Sequence, residues 1–118
     1  MSVTINAAKK AEIDRREALA DLDKWFAEEC QVGVTTADGW RMKMDPESVA
    51  LYTGNYVLAK ASADMGGVMP DIIDADGQPH AMANIEELTA IMLVYGQSRA
   101  LLSAEYKRKK DEIEAAGP

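Results

Sequence analysis

A single cysteine, a single histidine and a single phenylalanine stand in a chain of 118 residues. With Cys30 alone no internal disulfide can close, so the fold must hold through its core. With His80 alone, a zinc cluster of several imidazoles is excluded and any Ser-His-Asp arrangement would rest on that one ring. No Cys-x-x-Cys, His-Glu-x-x-His or Gly-x-Ser-x-Gly pattern supports either chemistry. Long apolar runs and a signal-peptide pattern are also lacking, so the expected location is the cytoplasm, with no membrane partner. Basic residues are outnumbered 13 to 20, leaving a net charge of −7. That balance argues against nucleic acid, whose binding draws on Lys and Arg replacing condensed counterions. The densest basic run, Lys107 to Lys110, is followed at once by Asp111, Glu112 and Glu114, the pattern of a solvated face near a helix C-terminus.

The length predicts one domain over residues 1–118, burying roughly two-thirds of the surface of the extended chain. From Asn6 to about Cys30 there is no Pro or Gly, and Ala11, Ala18, Leu22 and Trp25 recur on one face, which predicts an amphipathic helix. Gly33 ends it. Val32, Val34 and Thr36, then Trp40, Met42 and Met44, alternate on either side of an Ala37-Asp38-Gly39 turn, predicting a hairpin with one buried face. Asp45 stands at an N-cap position, with Pro46 and Glu47 suited to the first turn of a second helix. Val49, Tyr52, Tyr56, Ala59 and Ala63 give that helix its inner face, and Gly66-Gly67 its stop.

A second Ala-Asp-Gly turn at residues 75–77, between Ile72-Ile73 and His80 with Met82, predicts a weaker hairpin, since Pro79 cannot donate a ladder hydrogen bond. Asn84 and Glu87 have capping-box spacing and open the longest segment, from Ile85 to about Ala116. Along it Ile85, Leu88, Met92, Tyr95, Leu102, Tyr106 and Ile113 alternate steps of three and four, with Arg99 and Lys109 interrupting the seam. Some thirty helical residues span about 45 Å, more than a small globular body covers. The far end must lie against the first helix, a partner or water. The expected fold is α+β: three helices, the last long, with one or two short antiparallel hairpins between them.

Chemistry-bearing constellations are weak. Asp74 to Gly77 begins like a calcium loop, but Ile72 and Ala83 occupy the first and last ligand positions, so a turn is the better reading. Glu28, Glu29, Asp71, Asp74 and Asp76 fall near element ends, where acids are ordinary. No catalytic, cofactor or metal residues are assigned. Of the seven methionines, Met65, Met69 and Met82 are weighed as an adaptable binding face against the alternative of core packing.

Taken together, Gly39-Trp40, Asp45 with Ser48, Asp76-Gly77, and Lys110, Ile113 and Ala116 resemble an uncharacterised domain family common in tailed-phage proteins, over nearly the whole chain. In that family a Lys/Arg-bearing helix precedes a hairpin opened by Gly and an aromatic or His. An Asp-x-x-Ser helix start, a second Asp-Gly or Asp-Asn turn and a closing Lys-x-x-Ile-x-x-Ala helix follow. The family is often found with tail fibres and their assembly proteins, and the resemblance implies no enzyme activity or cofactor. Many relatives carry the domain behind an N-terminal segment, so a function of that segment is not expected here. The expectation is a non-enzymatic tail or tail-fibre protein, made in the host cytoplasm and acting in the virion tail or as a fibre assembly chaperone. Its partners would be other tail proteins or further copies of itself, met through Met92, Tyr95, Leu102 and Tyr106 with Trp25 of the first helix. The alternative is a host-directed protein that blocks a host or defence factor, its acidic surface steering it to a basic target.

Overall fold

A computed structural model describes residues 3–116. The element order is α1 (Val3–Val32), β1 (Val34–Thr35), β2 (Arg41–Met42), α2 (Pro46–Ala63), β3 (Ile72–Ile73), β4 (Pro79–His80) and α3 (Ile85–Ala115). The fold is α+β as expected, with β1 antiparallel to β2 and β3 antiparallel to β4. The chain forms two compact units. One takes α1 up to Glu28 and α3 from Leu101 onward, and the other spans Glu29 to Ala100.

In the second unit the boundaries follow local chemistry. Gly33 adopts φ +73° and its amide donates to Glu29 O at 2.9 Å, ending α1 in the left-handed conformation that spares glycine a side-chain clash. Pro46 opens α2 behind an extended Asp45, φ −67° and ψ 159°. The Asp45 carboxylate closes no cap hydrogen bond of ordinary geometry, yet the nearby Ser48 hydroxyl and amide hold its pKa below the usual carboxylate range. The Asn84 cap does close: Oδ1 accepts the Glu87 amide at 2.9 Å, and the Glu87 carboxylate reaches back to the Ala83 amide at 2.9 Å.

The core of this unit gathers Cys30, Met42, Met44, Tyr52, Ala59, Ile72, Met82, Leu88 and Tyr95, with Met42 wholly enclosed. The register Val34↔Met42 sends Met42 inward, and two residues on Met44 follows it because strand side chains alternate. Tyr52 and Tyr95 meet edge to face at 5.3 Å, and each hydroxyl ends on a carbonyl: Tyr95 donates to Lys43 O at 2.7 Å, Tyr52 to Ile73 O. An aromatic ring buried with its hydroxyl satisfied adds area without an orphan polar group. Burial pushes the pKa of both phenols up.

The other unit is an antiparallel helix pair. Leu22 is its one buried apolar residue among those described, while Ala18, Trp25, Phe26, Leu102, Tyr106 and Ile113 are half-buried. The far end of α3 therefore lies against α1, one of the three placements its length required.

Candidate protein-association surfaces

In the helix-pair unit the Phe26 and Tyr106 rings stand 4.8 Å apart at 52°, and Tyr106 donates to Asp23 Oδ1 at 2.6 Å. That hydrogen bond raises the pKa of the phenol. Lys109, which interrupts the apolar seam in sequence, lays its ammonium over Trp25, 3.8 Å from the ring centroid. Trp25, Leu102 and Tyr106 thus come together on one seam and keep part of their surface open, because two helices cover only one side of each other.

The remaining two seam residues belong to the second unit and fare differently. Met92 is half-buried and lines a groove of about 260 Å³ with Val49, Thr53, Leu93 and Gly96. Tyr95 is 2% exposed and hydrogen-bonded, so it is a core residue of this chain; placing it on a docking stripe is corrected. The step from Met92 to Tyr95 turns the seam inward, where the loop carbonyl of Lys43 needs a donor.

An apolar surface that periodicity did not single out lies on the outer side of α2. Leu51, Val57 and Leu58 are 56%, 57% and 70% exposed, and Ala50, Gly54 and Ala61 are open beside them. The signal was present: between Glu47 and Lys60 the helix carries no charged residue on any side, although only one side is needed for the core. Of the methionines weighed as a binding face, Met82 is buried, Met69 half-buried and Met65 84% exposed, so they form no common surface.

The polar groups singled out in sequence serve the hairpins. Asp74 is buried; its Oδ1 accepts the amides of Asp76 at 2.8 Å and Gln78 at 2.9 Å, and its Oδ2 meets His80 Nε2 at 2.7 Å. The His80 bond and then the two amides hold its pKa below the usual carboxylate range. The His80 ring stacks on Trp40 at 4.0 Å and 11°, while Ala75 N donates to Arg41 O at 2.8 Å. Together these contacts bind the second hairpin to the first. Cys30 is 3% exposed, and burial pushes the pKa of its thiol up, which disfavours the reactive thiolate.

Among the described residues no group of three His, Cys, Asp or Glu could hold a metal ion, and no helix is long and apolar enough to cross a membrane. Comparison of the chain with protein-family models, curated proteins and solved structures finds no match.

Proposed function

We propose that the chain is a non-enzymatic tailed-phage protein, either a tail or tail-fibre component or a fibre assembly chaperone, that works by helix-mediated association. The observation that supports this reading is the half-open aromatic seam of the helix pair. Trp25, Phe26, Leu102 and Tyr106 hold α1 and α3 together yet remain partly exposed, and a third amphipathic helix laid along them would bury the rest. The tail setting comes from the sequence resemblance. The test is quantitative mass spectrometry of purified virions together with co-purification of the chain with the fibre proteins of its phage. A fixed copy number in multiples of three, six or twelve would make it a tail component, by the symmetry of such particles. Absence from virions with co-purification of a fibre protein would make it a chaperone. Absence from both, with a host protein as its stable partner, would replace this reading by the host-directed one.

A further inference from the structure

The outer face of α2 has a pattern that the chain's own packing leaves unexplained. Glycine in a helix interior is less stable than alanine by about 1 kcal/mol. At Gly54 an added Cβ would meet nothing within 4 Å, so no neighbour in this chain requires the vacancy. Gly54 is also the centre of a near-symmetric arrangement. Leu51 and Val57 lie three residues to either side of it, Ala50 and Leu58 four, and Glu47 and Ala61 seven. The charges flank this span, with Glu47 about 10 Å before Gly54 and Lys60 about 9 Å after it, at 1.5 Å of rise per residue.

We propose that α2 pairs antiparallel with α2 of a second copy of this chain, about a two-fold axis at Gly54. In that register Gly54 faces Gly54, so the two backbones approach closely. Ala50 then opposes Leu58, small against large, and Leu51 opposes Val57, apolar against apolar, so that the two faces can interdigitate. Each copy's acidic end comes beside the other's basic end, and the two helix dipoles run in opposition. A parallel pairing would instead set Glu47 against Glu47 and Lys60 against Lys60. A two-fold contact uses the same patch on both partners, and this patch is complementary to itself under that operation. The paired span is about 21 Å long, modest beside the ~800 Å² per partner of stable complexes, which makes the dimer dissociable, with a Kd on the order of micromolar. The contact lies wholly in the unit from Glu29 to Ala100 and does not depend on the tail reading.

Sedimentation equilibrium of the full chain from about 1 to 200 µM, spanning that affinity range, tests the dimer. The expected mass rises from 12.9 kDa towards twice that value with concentration, and Leu58→Glu holds it at the monomer. Leu58 is 70% exposed, so the variant should keep its far-UV circular dichroism. Cysteine cross-linking fixes the register independently: under oxidation Gly54→Cys should join two chains, whereas Ala61→Cys, which opposes Glu47 of the other copy, should not. A monomer throughout the range overturns the proposal. So does a dimer that Leu58→Glu leaves intact, or Ala61→Cys linking as readily as Gly54→Cys.

Discussion

Gly33 shows how much one residue can fix. It combines φ +73° with a position where an added Cβ would fall 1.9 Å from Met42 O and 2.8 Å from Lys43 Cα, both backbone atoms that cannot swing aside. Gly39 has a similar sign of φ, +93°, but open space around it. Gly39→Ala should therefore cost the ~1–2 kcal/mol of left-handed strain alone, and Gly33→Ala more than that. Denaturant midpoints of the two variants measure the difference, and equal losses would mean that the close approach to β2 carries no energy. The sequence marks Gly33 as a helix stop but not as a packing contact, because nothing local says that the second strand returns across it. Tyr95 teaches the same lesson. Its spacing places it on the α3 seam, while its burial depends on a loop carbonyl distant in sequence, which periodicity does not register.

Among the elements, the helices are the most legible because their signals are local. Pro46 and the Asn84 and Glu87 pair sit where their chemistry requires, and the observed starts of α2 and α3 coincide with them. The second hairpin is legible from its turn and flanking residues, but what anchors it is not. What holds it is the Asp74 carboxylate, whose partners are the amides of Asp76 and Gln78 and the His80 ring, which in turn stacks on Trp40. Asp74 titrates below its ordinary value in the folded chain, so its contribution to stability is present above about pH 4, the unfolded carboxylate value. It is lost as the pH falls through the lower folded value. Wild type should therefore lose more denaturant resistance between pH 7 and pH 3 than Asp74→Asn does, once the acids common to both chains cancel. Parallel acid losses in the two chains would show that the carboxylate does not anchor the hairpin. The outer face of α2 is legible in composition rather than in spacing, since a helix without charge between Glu47 and Lys60 still yields a plausible inner face by periodicity.

At the scale of the molecule, α1 and α3 each contribute to both compact units, so one long seam does two jobs. In the unit from Glu29 to Ala100 its residues turn into a core with Tyr95 and Leu88. In the helix pair they remain half-open, with Leu102 and Tyr106 on α3 beside Trp25 and Phe26 on α1. The length of α3 signalled that its end needed cover, and α1 supplies part of it. How much is left uncovered could not be read from spacing, because the same heptad-like steps describe a core and an interface. The direct measurement is capture of the tagged chain from phage-infected cells, wild type against Leu102→Asp, with partners quantified by mass spectrometry and helicity checked by circular dichroism. Helix-mediated tail association predicts tail or tail-fibre polypeptides enriched by the wild type and lost with Leu102→Asp while the chain stays helical. Enrichment that persists in a helical Leu102→Asp, or no tail polypeptide with the wild type, would contradict it.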